Sequence, residues 1–152
     1  MRLSTRGRYA VMAMTDLAGQ AAAAPGVRAT SLSDIAARQE ISLPYLEQLF
    51  ALLRRAGLVS SVRGPGGGYR LSRPLGEISI AEVIHAVDEP IQAVRCGAEK
   101  SGGCMSGGAQ CLTHGLWHAL DRSIEGFLAK VTLEDVVERR VERRFDLQEA
   151  LS

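Results

Sequence analysis

Four side chains able to hold a metal stand in one glycine-rich stretch: Cys96, Cys104, Cys111 and His114, with seven, six and two residues between them. They include every cysteine of the chain. Thiolates suit zinc, copper(I) and iron-sulfur clusters, and imidazole suits zinc, iron and copper, so the set points to a transition metal and away from calcium or magnesium. Cys3His is a common tetrahedral zinc set. The bland alternative is three ordinary thiols beside a histidine that starts a helix. An odd number of cysteines in a chain without a signal-peptide pattern argues against a disulfide framework. His118, one turn past His114, is a competing ligand on the same helix face and otherwise an ordinary surface histidine. His85, on a capped amphipathic segment, reads as structural.

The segments around these ligands have clear periods. Tyr9, Ala10, Ala13, Met14 and Leu17 recur at helical spacing over residues 5–24, with Ser4 or Thr5 as N-cap and Pro25-Gly26 as the stop. Ser31 and Asp34 open a short second helix. Ser42 is the N-cap expected for a third helix from Leu43 to Ala56, with Pro44 in its first turn, a stripe of Leu46, Leu49, Phe50 and Leu53, and Gly57 as its end. The period then alternates through Leu58–Arg63 and Tyr69–Ser72 across a Gly64–Gly68 tip, which predicts a two-stranded hairpin. Ser79-Ile-Ala-Glu82 heads a further helix that ends before Pro90. The ligand loop follows. From about Thr113 to Val131 a long helix carries Leu116, Leu120, Ile124, Phe127, Leu128 and Val131 on one stripe, flanked by Trp117. At about 25 cal/mol per square ångström of buried apolar surface, that stripe is worth most against a second copy, so a homodimer is expected. Thr132 and Asp135 cap a last helix whose charged run, Glu138 to Arg144, is expected to be a solvated face.

Paired short helices followed by a hairpin predict a mainly α fold with a small β wing, a winged helix-turn-helix plus a long dimerisation helix. The expected organisation is a DNA-binding unit over 1–75, a linking helix and ligand loop over 76–112, and the dimerisation and C-terminal helices over 113–152. Charge follows the same division. Residues 1–75 hold ten Arg against four Asp and Glu, a balance of +6, whereas residues 76–152 hold eight basic and thirteen acidic residues, a balance of −5. A basic half is the footprint of a polyanion, and the acidic half should face away from it. Near the start of the third helix, Gln48 and Glu47 are the base-reading candidates, since Gln pairs with adenine and a carboxylate accepts from cytosine N4. Tyr45 is suited to a phosphate, and Arg63, beside glycines, to the minor groove. Arg2, Arg6, Arg8, Arg54, Arg55, Arg70 and Arg73 form the pool of phosphate neutralisers. The full DNA-facing set is Arg2, Ser4, Thr5, Arg6 and Tyr9; Ser42, Pro44, Tyr45, Glu47, Gln48 and Arg54; and Arg63, Gly64 and Gly66. The glycine tip lacks the Lys-Ser/Thr of a phosphate-binding loop, and no hydrolytic constellation appears, so an enzyme is not expected. No apolar run approaches the roughly 20 residues of a membrane span. A cytoplasmic protein is expected.

Three stretches, MRLSTRGRYAV, ISLPYLEQLF with GLVSSVRGPGGGY, and CLTHGLW, closely resemble the IscR family of iron-sulfur cluster regulators. The resemblance runs to about Val137. It implies a dimeric winged-helix transcription factor with one 2Fe-2S cluster per subunit, held by Cys96, Cys104, Cys111 and His114, that senses cluster status and controls genes of the cluster-biogenesis type. Operator DNA, a second copy of the chain and the iron-sulfur assembly machinery as cluster donor are the implied partners, with no membrane. The cysteine intervals are longer than the family's, and Pro44 stands where the family commonly has serine. One histidine in place of a cysteine removes a negative charge and should raise the potential relative to an all-cysteine site. Two rivals remain, a zinc-stabilised winged-helix repressor and a small 2Fe-2S electron carrier.

Overall fold

The structure is a computed structural model that describes residues 3–87, 89–92 and 103–150, with side chains as far as residue 146. Arg2 and Cys96 lie outside the described residues. In chain order the elements are helices α1 (Thr5–Ala23), α2 (Leu32–Gln39) and α3 (Leu43–Arg55), then strands β1 (Val59–Val62) and β2 (Gly68–Leu71). A 3-10 turn at Leu75–Glu77 leads to α4 (Ile80–Ala86), followed by α5 (His114–Lys130), α6 (Leu133–Val137) and α7 (Val141–Ala150).

Local chemistry sets the helix starts. Ser4, Ser31, Ser42, Ser79 and Thr132 each occupy the N-cap in extended backbone and accept from the N–H three residues on. At Ser79 and Thr132 the side chains of Glu82 and Asp135 return the bond to the cap N–H, completing two capping boxes. The turn between α2 and α3 is made by Glu40 in the left-handed region (φ 54°), with Ile41 N–H reaching back to the Ala36 carbonyl at 3.2 Å.

Packing then gathers these pieces around one apolar cluster. Ala10, Ala13, Met14 and Leu17 of α1, Ile35 of α2, and Leu46, Leu49, Phe50 and Leu53 of α3 are buried together with Ile78, Val83 and Ile84. The small residues of α1 let α4 approach closely. The hairpin pairs Val59 with Leu71 through Val62 with Gly68. On its other side, Tyr69 exchanges backbone bonds with Thr30 at 2.8 and 2.9 Å, so the wing is anchored to the segment that caps α2. Gly68 is required there, because a Cβ would lie 2.2 Å from the Thr30 carbonyl oxygen. Phe50 and Tyr69 meet edge to face, tying α3 to the wing.

The C-terminal part returns to this body. Ile80 N–H bonds the Val131 carbonyl at 2.8 Å and Leu133 N–H bonds that of Ile78 at 3.0 Å, which places α6 against α1. Leu133 is fully buried. By contrast α5 buries no residue completely: Ile124 and Leu128 lean on the core, while Leu116 is 60% and Phe127 40% exposed. None of the described helices is long and apolar enough to cross a membrane.

The charged run is largely exposed, as expected, but it does not lie on a single helix. Instead of one solvated helix, α6 stops at Val137 and the chain reverses through Arg139 at φ 54°, with Arg140 N–H on the Asp135 carbonyl at 2.9 Å and Arg139 N–H on that of Val136 at 3.1 Å. The physical reason is Asp135, only 6% exposed, whose carboxylate requires cationic partners. Arg144 supplies one at 2.7 Å and Arg140 another at 3.7 Å.

Candidate DNA interface and metal-ligand loop

The outward face of α3 carries the base-reading candidates. Leu46, Leu49, Phe50 and Leu53 turn one face of the helix into the core, which leaves Leu43, Pro44, Glu47, Gln48, Arg54 and Arg55 exposed on the other. Ser42 accepts from Tyr45 N–H at 3.3 Å, and among the described residues its own O–H has no acceptor, so it can donate outside the helix. Tyr45 is half-buried and packs edge to face on Tyr9 of α1, ring centroids 5.9 Å apart, so the two phenols share one wall where α1 meets the start of α3. Arg63 is exposed at the wing edge, followed by Gly64 (φ 92°) and Gly66 (φ 71°) in conformations that bulky side chains rarely adopt.

Thr5, Arg6 and Arg8 are exposed on the first turns of α1. Two N-terminal side chains already have partners. Ser4 Oγ accepts from Gly7 N–H at 3.2 Å and donates to the Glu89 carboxylate, and Arg6 donates to the Val87 carbonyl at 3.4 Å. Glu89 and Val87 follow α4 and precede the ligand loop. That link, across more than eighty residues of sequence, left no sequence signal. Within the arginine pool, Arg73 is held by Glu82 at 2.8 Å and by the Glu77 carbonyl at 3.2 Å, and Arg70 donates to Ser60 at 3.3 Å. The Ser79 N–H, together with Arg73, keeps the Glu82 carboxyl below its ordinary range against the cost of its partial burial.

In the ligand loop, Cys104 is exposed while Cys111 and His114 are half-buried. Cys104 Sγ stands 3.7 Å from His114 Nδ1 and accepts from Cys111 N–H at 3.0 Å. Thr113 Oγ1 lies 3.4 Å from Cys111 Sγ and accepts from Trp117 Nε1 at 3.2 Å, a supporting role that the Cys-Leu-Thr-His spacing could have suggested. His118 stacks on His114, centroids 6.4 Å apart and planes 12° from parallel. Among the described residues no group of three His, Cys, Asp or Glu is placed to close around one ion. The nearest pair nonetheless fits a shared metal. A thiolate at about 2.3 Å and an imidazole at about 2.0 Å from one tetrahedral ion stand about 3.5 Å apart. The donor set, two thiolates and an imidazole at the foot of α5, suits zinc or iron.

A helix-turn-helix with a hairpin wing and an exposed reading face defines a winged-helix DNA-binding regulator. The model of the Rrf2 family, described as iron-dependent transcriptional regulators, matches residues 3–139, and the chain belongs to that family. The HTH-type transcriptional regulator IscR of Citrobacter koseri is 54% identical over 137 residues, 90% of this chain and 80% of that protein. The IscR of Salmonella newport is likewise 54% identical, over 90% of this chain and 79% of its own length. Among solved structures, T. potens IscR superposes with a TM-score of 0.72 at 38% identity, covering 92% of this chain and 88% of that one. CymR, the global cysteine regulator of B. subtilis, does so at 0.73 and 32% identity, covering 91% and 98%. The chain is a transcriptional regulator of the IscR type, and these relatives regulate transcription and are not enzymes.

Proposed function

We propose that this regulator works as a homodimer whose choice of operator depends on a 2Fe-2S cluster, one per subunit, held by Cys96, Cys104, Cys111 and His114. The observation that carries the reading is the 3.7 Å approach of Cys104 Sγ to His114 Nδ1 at the first residue of α5. When bound, the cluster supplies a redox-active centre whose presence reports the cell's supply of iron and sulfide. Everything else falls to the chain. His114 opens a rigid helix of seventeen residues, so the attitude of its ring is passed to all of α5. That helix leans on α4 through the His85–Glu125 contact at 2.7 Å, and exposed Leu116 and Phe127 leave an apolar stripe suited to a second copy. Residues 1–75 read DNA, 76–112 carry the loop and 113–152 join the subunits. The cluster is delivered by the iron-sulfur assembly machinery in the cytoplasm.

Ser4 gives the coupling a concrete form. A hydroxyl has one proton to donate, so Ser4 can serve a DNA phosphate only by leaving Glu89, just ahead of the ligand loop. Operator DNA and the loop therefore compete for the same side chain. By linkage, an operator preferred by the cluster-bound form tightens cluster retention by the same factor.

Anaerobic purification tests the cofactor. Reddish-brown protein with iron and sulfide in equal amounts, lost in His114→Ala, is expected. Colourless protein containing zinc would establish the second reading, which the same sulfur–nitrogen distance favours. A Cys104→Ala/Cys111→Ala variant that bound every operator as the cluster-bound protein does would end the sensing proposal even with a cluster present. An electron carrier would show no salt-dependent DNA affinity, whereas a regulator neutralising six to ten phosphates loses about three to five decades between about 50 and 200 mM salt.

A further inference from the structure

The segment from Gly103 to Cys111 is a tight turn closed by its own backbone. Gly103 N–H donates to the Gly108 carbonyl at 3.0 Å, Met105 N–H to that of Ala109 at 3.1 Å, and Gly108 N–H to that of Met105 at 2.9 Å. The closure depends on the first residue having no side chain. A Cβ at position 103 would stand 2.1 Å from the Ala109 carbonyl oxygen, 2.2 Å from its carbon and 2.5 Å from the Gly108 oxygen. These are backbone atoms of the facing strand of the turn, so only opening the turn would relieve the clash. At Gly107, inside the same turn, and at Gly115, nothing lies within 4 Å of an added Cβ.

The consequence falls on the next residue. Cys104 Sγ owes its place beside His114 Nδ1, and its bond from Cys111 N–H, to the closure that brings residues 103–105 against 108–111. We propose that Gly103 is a positioning residue for the metal site: it lets the turn close before any metal is present, so that Cys104 Sγ already stands beside His114 Nδ1 and against the Cys111 N–H. This rests on the reading of those residues as ligands. The Cys111 N–H is also a fixed donor to a ligand sulfur, and hydrogen bonds of that kind are among the levers that set a cluster's potential.

The test compares the full-length wild type with Gly103→Ala and Gly107→Ala. In the metal-free proteins, amide exchange at Met105, Gly108 and Cys111 should be slow in the wild type and in Gly107→Ala, and as fast as in an open loop in Gly103→Ala. Cobalt(II), read by its thiolate absorption, should bind Gly103→Ala about 10- to 100-fold more weakly, the usual cost of losing support around a ligand, and Gly107→Ala as the wild type. Iron and sulfide retained after anaerobic reconstitution should follow the same order. DNA affinity of the metal-free proteins at low salt, equal in all three, shows that the reading domain is intact. Equal exchange or equal cobalt affinity in Gly103→Ala and wild type overturns this proposal alone. A wild type that takes up neither cobalt nor iron and sulfide overturns the ligand reading, and this proposal with it.

Discussion

Replacing Asp135 by Asn tests how the C-terminal segment is held to the DNA-binding body. The carboxylate accepts from Thr132 N–H at 3.0 Å, from Thr132 Oγ1 at 3.0 Å and from Arg144 Nη1 at 2.7 Å, and Arg140 stands 3.7 Å from its other oxygen. Burial raises the cost of its charge, yet the two Thr132 bonds together with Arg144 and Arg140 outweigh that cost and hold the carboxyl below its ordinary value. The isosteric amide keeps an oxygen for Thr132 but loses the charge. A charge-assisted hydrogen bond contributes about 1.5–3 kcal/mol, and Arg144, half exposed, recovers part of its loss from water. A destabilisation of about 2 kcal/mol follows, or about 4–8 °C in Tm for a chain of this size. Thermal unfolding at one fixed protein concentration measures it, because the proposed subunit association would raise the apparent stability. Arg144→Ala and the double variant complete the cycle, with an expected coupling of about 1–2 kcal/mol. The pH arm has a definite sign. A carboxyl depressed in the folded state stabilises the protein above its unfolded value and loses that contribution as pH falls through the folded one. Asp135 and Glu82 should therefore add stability down to about pH 4, and Asp135→Asn should flatten the acid limb below it. A Tm within one degree of wild type together with an unchanged acid limb would refute the brace.

Three further outcomes bear on the interface. Glu47→Ala should relax discrimination at one base pair by about 1–3 kcal/mol, seen as a narrower spread of Kd across an operator library; an unchanged spread would remove Glu47 from base reading. Arg63→Ala should lower affinity for all sequences and reduce the slope of log K against log salt by about 1, and a slope equal to wild type would mean that the wing does not meet the duplex. Leu116→Asp should lose about 1.5–3 kcal/mol of apolar burial per copy, read by sedimentation as a shift from dimer to monomer in the micromolar range. If the variant sediments as wild type does, the stripe on α5 is not the subunit contact.

What the sequence revealed and what it hid divide by distance along the chain. The caps at Ser31, Ser42, Ser79 and Thr132 are bonds between residues three apart, so composition and spacing were sufficient to find them. The stripe on α3 and the alternation of the wing are likewise local. Long-range contacts escaped. Asp16 takes Arg38 in a two-pronged ion pair and raises that guanidinium's pKa, joining α1 to α2 in a way that no periodicity announces. The third partner of the wing, Thr30, lies in a loop. The break at Arg139 was hidden because a left-handed C-terminal residue is usually glycine, and here it is an arginine at the end of a charged run. For the ligand loop the pair Gly102-Gly103 before Cys104 was a readable hint, but only the facing carbonyl at Ala109 gives it meaning.

The proposed coupling can be bounded from these contacts. α4 and the residues just after it are shared by both sites: Val87 and Glu89, beyond its C-terminal end, hold Arg6 and Ser4, and its exposed side carries His85, which meets Glu125 on α5. The His85–Glu125 pair is close to half exposed on both sides, so it contributes at most about 1 kcal/mol. A hydrogen bond exchanged by Ser4 between Glu89 and a phosphate contributes about 0.5–1.5 kcal/mol. Neither alone reaches the middle of the usual range of coupling energies, about 1–3 kcal/mol. Acting in the same direction they can, because one link attaches to α4 and the other to the segment that directly follows it. A regulator wired this way changes operator affinity by at most about seventyfold between cluster-bound and cluster-free forms, the two contributions together reaching about 2.5 kcal/mol. Breaking both links with Ser4→Ala and Glu125→Gln should then erase most of that difference while leaving the cluster in place, and a difference that survived would place the coupling wholly in the subunit contact along α5.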